Sequence, residues 1–104
     1  MKRMHNPPHP GTVLADWLEG VDDMTITAFA AHIGVTRATL SRILNGHSSI
    51  TPDIAIRLED ALGASREMWS GMQMAYDLWL AAQRPRPRIK RLIRRTAEAE
   101  DMAA

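Results

Sequence analysis

Residues 34–52 read GVTRATLSRILNGHSSITP. Wound as a helix at about 100° per residue, this stretch gathers Leu40, Ile43 and Leu44 on one side. Ala38, Thr39, Ser41, Arg42 and Asn45 fall around the other. A narrow apolar seam backed by small and hydroxyl side chains, with one long cation among them, suits a helix that enters the DNA major groove. Short side chains let its backbone approach the base edges, and an arginine reaches guanine with two hydrogen bonds. Thr36 and Arg37, at the helix start, are placed for a phosphate or the first base pair.

The residues just before this stretch complete the pattern. Thr25 is a suitable N-cap for a helix with Ile26, Phe29, Ala30 and Ile33 on one face, and Gly34 ends it. The next helix starts within about three residues, so the turn between them is sharp. Gly34 supplies the positive φ that such a turn needs, where a Cβ costs on the order of 1 kcal/mol. Ala30 is small where the two helices cross, and Phe29, Ile33, Val35, Leu40 and Ile43 are apolar where they face each other and a core. That is a helix-turn-helix.

Three further helices surround the pair. HPGTVLADWLEG (9–20) puts Pro10 in a first turn, Leu14, Trp17 and Leu18 on a face, and Gly20 at the end. In SSITPDIAIRLEDALG (48–63), Thr51 caps, Pro52 takes the first helical position, Asp53 complements the dipole and Gly63 terminates. Ile54, Ala55, Leu58, Ala61 and Leu62 are its apolar stripe. Ser65 caps a longer helix over roughly 66–82. Five helices with short connections and no alternating strand pattern predict an all-α fold, with residues 1–83 as a helix-turn-helix DNA-binding and dimerisation domain.

After Gln83 the sequence RPRPR excludes helix, since each proline lacks an N–H and biases its predecessor toward extended backbone. RIKRLIRR (88–95) can form one or two helical turns with Ile89, Leu92 and Ile93 on a face, and 96–104 reads as a frayed end. Residues 84–104 are thus expected to be a basic, then acidic, partly disordered tail. The arginine-rich part is open to three readings: a phosphate-neutralising arm, an amphipathic segment that docks on a protein, or a solvated tail.

The formal net charge of +1 conceals a segregation. Residues 1–83 carry six Lys/Arg and nine Asp/Glu, residues 84–95 seven Lys/Arg and no acid, and residues 96–104 three acids. A uniformly basic body, the strongest compositional mark of nucleic-acid binding, is absent. At 104 residues the chain makes one domain with one modest core. Without cysteine, neither disulfides nor thiolate metal sites hold it together. No apolar run has the length of a membrane span and the N-terminus lacks a signal-peptide pattern, so a cytoplasmic protein without membrane contact is expected. His5, His9, His32 and His47 have no acidic or cysteine partner at ligand spacing, so no metal is expected. No nucleophile–base pair or Gly-rich phosphate loop appears, so neither catalysis nor a cofactor is expected.

The helix 66–82 carries Trp69, Met72, Tyr76 and Trp79 as one apolar stripe and Met74, Leu78 and Ala81 as another. A helix apolar on more than one side is buried on both, and a small domain covers only one. A homodimer contact through Trp69, Met72, Met74, Leu78 and Trp79 is the economical solution, and a larger core within one protomer is the alternative. The dimer would set two reading helices one DNA turn apart, about 34 Å.

Three segments in order, HPGTVLADWLE, FAAHIGVTRATLSRILNGHSSITPDIAIRLEDALG and EMWSGMQMAYDLWLA, together resemble the HigA-type antitoxins of the lambda-repressor/Cro-like helix-turn-helix superfamily. The resemblance covers about residues 9–82, and the His-Pro-Gly opening and the Trp-x-x-x-Gln-x-x-Tyr-Asp-Leu ending are not general helix-turn-helix features. It implies a five-helix lambda-repressor-like domain and a dimer that represses its own promoter at a palindromic operator. It also implies a cognate toxin partner, a small RelE-like ribonuclease that the antitoxin neutralises. Thr36, Thr39 and Arg42 match the family's DNA-facing positions. The chain departs from the family at Ser70-Gly71, where relatives have a leucine-rich stretch. A glycine inside a helix costs about 0.5–1 kcal/mol unless close packing needs it. A regulator without a toxin is the alternative within this class. A protein-interaction module that does not read DNA is the alternative outside it, favoured by the acidic balance of residues 1–83.

Overall fold

A computed structural model describes residues 6–93. Its five helices are α1 (Pro10–Glu19), α2 (Ile26–Ile33), α3 (Arg37–Leu44), α4 (Pro52–Leu62) and α5 (Arg66–Ala82), and the described residues contain no strand. α2 packs on α3 and α4, α1 on α3 and α5, and α4 on α5. The helix-turn-helix pair α2–α3 is thus backed by α1 and α4, which α5 in turn joins.

Each helix starts where its capping chemistry dictates. The hydroxyls of Thr25, Thr36, Thr51 and Ser65 accept the backbone N–H of Ala28, Thr39, Ile54 and Met68 at 3.0–3.2 Å. Each satisfies a donor that the helix itself leaves unpaired, a contribution of about 1 kcal/mol. α1 departs from this pattern. Its N-cap is His9, whose Nδ1 accepts the Gly11 N–H at 2.9 Å.

The turn of the helix pair is built as the sequence requires. Gly34 stands at φ +80°, and the N–H groups of Gly34 and Val35 return to the carbonyls of Ala31 and Ala30. Arg57 of α4 adds a bond from its Nη1 to the Ile33 carbonyl at 2.7 Å, tying the end of α2 to the support layer.

Leu14, Phe29, Ala30, Ile33, Leu40, Ile43, Ile50, Ile54, Ala55, Leu58 and Trp69 make one buried core. Trp69 is wholly enclosed, its ring edge-on to Trp17 with centroids 5.8 Å apart. This corrects its assignment to a dimer contact. Its indole N–H has no acceptor among the described residues, so packing alone holds it. Met72 lies half-buried against the same core and Trp79 is half-buried beside Tyr76. Only Met74 and Leu78 of the five expected contact residues stand out from the domain, at 60% and 63% exposure.

Past α5 the expected turns of helix over 88–93 are absent: Pro85–Arg91 is neither helix nor turn, and Ile89, Leu92 and Ile93 are exposed. The physical reason is local. Pro85 and Pro87 stop α5 from continuing into residues 88–93, and a segment this short cannot nucleate a helix of its own without a surface to pack on. Residues 94 and 95, and the end 96–104, lie outside the described residues.

Candidate nucleic-acid interface

The outer face of α3 stands clear of the protein. Thr36, Arg37, Ala38, Thr39, Arg42 and Asn45 are exposed and Ser41 is half-buried, while Leu40 and Ile43 on the opposite side are enclosed. The seven residues expected to read or hold DNA therefore occupy one continuous strip, from the helix N-cap to its C-cap.

Hydrogen bonds arrange this strip before any ligand arrives. Thr36 Oγ1 accepts the Thr39 N–H and donates to Thr39 Oγ1 at 2.8 Å. The Thr39 hydroxyl keeps its own proton available for an acceptor outside the protein. Arg42 is tethered: its Nε donates to Ser48 Oγ at 3.0 Å. No acceptor among the described residues engages its two η nitrogens, so they remain available for a bidentate contact. Asn45 differs from the expectation in detail. Its amide nitrogen turns back to the Ser41 carbonyl at 2.9 Å and caps the helix, which uses donors that base reading would need. The strip is therefore strongest at Thr39 and Arg42.

Position is fixed by contacts that motif reading did not assign. His9, only 9% exposed, packs edge-on against Tyr76 with ring centroids 4.9 Å apart. Gln73, also buried, accepts the Ile50 N–H at 2.7 Å through Oε1 and donates to Asp77 at 3.0 Å. Gly11 allows α1 to touch the Ile43 backbone on α3. The His-Pro-Gly opening and the Gln-x-x-Tyr-Asp ending are thus two halves of one brace that holds the loop following α3. One signal did point to His9: a proline at the first helical position makes the preceding residue the N-cap.

Burial holds the His9 imidazole below its ordinary value of 6.5, opposed in part by the Asp77 carboxylate and the nearby Ser48 backbone. Protonation at Nδ1 would also end its role as acceptor. A histidine whose folded pKa is depressed contributes stability that is complete above the unfolded value, about 6.5, and is lost as pH falls through the folded value. Thermal unfolding between pH 8 and 5 is therefore expected to show a falling midpoint below pH 6.5. In His9→Asn, which caps without titrating, that part of the fall disappears; an identical pH profile would show that His9 is not its source.

Among the described residues no group of three or more His, Cys, Asp or Glu could hold a metal ion, and no helix is long and apolar enough to cross a membrane. Comparison with known proteins agrees with the geometry. A helix-turn-helix family model matches residues 22–69. The antitoxin HigA-1 of Vibrio cholerae is 39% identical over 80 residues, which span 75% of this chain and 73% of that protein. An addiction-module antidote protein of the HigA family from Coxiella burnetii superposes with a TM-score of 0.72 at 38% identity, over 76% of this chain and 86% of that one. The Pseudomonas aeruginosa antitoxin HigA, solved with the higBA promoter, superposes with a TM-score of 0.69 at 31% identity, over 74% and 84% of the two chains. By its fold, its motifs and these likenesses, the chain belongs to the HigA family of helix-turn-helix antitoxins.

Proposed function

We propose that this protein is a sequence-specific transcriptional repressor and the antitoxin of a type II toxin–antitoxin pair, binding as a dimer to a palindromic operator in its own promoter. The observation that carries the reading is the free strip on α3, where Thr39 and Arg42 keep donors available at the surface. Phosphate contacts would come from the exposed N-termini of α2 and α3 and from Arg37. Base choice would come from Thr39 and Arg42, with Ala38 allowing close approach and Ser41 contributing at the flank.

The outer face of α5 supports a dimer. Met74 and Leu78 form an exposed apolar patch, and the space where a Cβ of Gly71 would stand is open. No close contact within the protomer uses that glycine, so it leaves room for a second α5 to approach. Neutralisation of a RelE-like ribonuclease rests on family membership, and the P. aeruginosa HigA–promoter structure supports the operator reading by likeness.

A mobility-shift assay on the DNA upstream of the gene, against a scrambled duplex, tests the repressor. Arg42→Ala is expected to cost about 1–3 kcal/mol at one base pair of each half-site and to relax preference there. Equal weakening on both duplexes would make Arg42 a phosphate contact, and no shift at all with wild-type protein would leave the protein-interaction reading. Co-purification with the product of the adjacent reading frame separates antitoxin from stand-alone regulator.

A further inference from the structure

The segment after α5 is the one strongly basic part of a chain whose first 83 residues have an acid excess, and the recognition strip does not use it. Arg84, Arg86, Arg88, Lys90 and Arg91 are all exposed, and no carboxylate among the described residues pairs with them. Arg86 turns back to the Ala81 carbonyl at the end of α5, which leaves four cations directed elsewhere.

α5, from which this segment departs, meets the loop after α3 through Tyr76 and His9 and through Gln73 and Ile50. Tyr76 touches His9, and the His9 ring lies within 4 Å of where a Cβ on Gly46 would stand, at the close of the recognition helix. Arg84 follows eight residues after Tyr76, a helical rise of about 12 Å. Held extended by Pro85 and Pro87, residues 84–93 reach about 30 Å, enough to return across that distance and run beyond it.

We propose that residues 84–93 form a basic arm that lies along the DNA backbone beside the loop following α3, with Arg84, Arg88, Lys90 and Arg91 each neutralising a phosphate. The inference rests on the operator-binding reading above. At three residues per turn the proline-set arm puts Arg84 and Lys90 on one side and Arg88 and Arg91 on the next, and each DNA strand offers a charge about every 3.4 Å of its axis, so each cation finds its own phosphate. A protein partner is the weaker fit. Docking on a protein needs Ile89, Leu92 and Ile93 on one face, which only a helix would achieve, and the backbone there is not helical. In the proline-set extended chain, at three residues per turn, Ile93 turns away from the side that Ile89 and Leu92 share.

The test compares full-length wild type with R84Q/R88Q/K90Q/R91Q on the upstream DNA and on a scrambled duplex, between about 50 and 200 mM salt. The slope of log affinity against log salt is expected to become shallower by about 3–4 per protomer, at roughly 0.9 per phosphate, with the preference for the operator unchanged. A charge-preserving R84K/R88K/R91K variant keeps the wild-type slope. Slopes that differ by less than about one overturn the arm while the operator reading stands, including the case in which the glutamine variant instead loses a protein partner. Wild-type protein that binds neither duplex removes both.

Discussion

Replacing Gly11 with alanine is expected to destabilise this protein by about 3 kcal/mol and to lower its melting temperature by on the order of 15 °C. A Cβ at this position would stand 1.8 Å from the carbonyl oxygen of Ile43 and 2.8 Å from its carbonyl carbon. Both are backbone atoms inside α3, so no side-chain rotation relieves the overlap. α1 and α3 must separate, and cavities then open along Leu14, Leu40 and Ile43, all three fully enclosed. The displaced element is the recognition helix itself. Operator affinity should therefore fall even at temperatures where the variant is still folded, although Gly11 is buried and no candidate for a DNA contact. Thermal unfolding followed by circular dichroism reads the first effect and a mobility shift reads the second. A melting temperature within a few degrees of wild type would mean that the two helices part without cost.

Trp69→Ala is the second large effect, and it separates core from interface. Emptying a fully buried indole costs about 3–5 kcal/mol, a large share of the 5–15 kcal/mol that a domain usually has in hand. The midpoint should fall by on the order of 20 °C, independent of protein concentration. If the proposed dimer forms through the outer face of α5, Leu78→Asp should do the reverse, leaving helix content intact while sedimentation shifts toward the monomer. If Trp69→Ala melted normally and only weakened the proposed dimer, the assignment of Trp69 to the interior would fail.

These two positions show where reading the sequence succeeded and where it stopped. Hydroxyl caps, proline at a first helical position and terminal glycines are local signals, set by backbone chemistry within four residues, and the helix boundaries follow from them. Periodicity separated the two sides of α3 for the same reason, since one short amphipathic helix in a small domain has one way to face its core. It could not rank the apolar residues of α5. Trp69, Met74 and Leu78 are all large and apolar, and which of them turns inward depends on the angle at which α5 crosses α1 and α4.

The sequence by itself therefore determined five helices, a sharp glycine turn and an outward strip from Thr36 to Asn45, because each depends on interactions between near neighbours. The tertiary structure alone decided that Trp69 is internal, that Gly11 is where α1 meets the Ile43 backbone, and that His9 and Gln73 brace the loop beyond the recognition helix. Those contacts join residues far apart in the chain, such as Gln73 with Ile50, and their partners are chosen by how the helices pack.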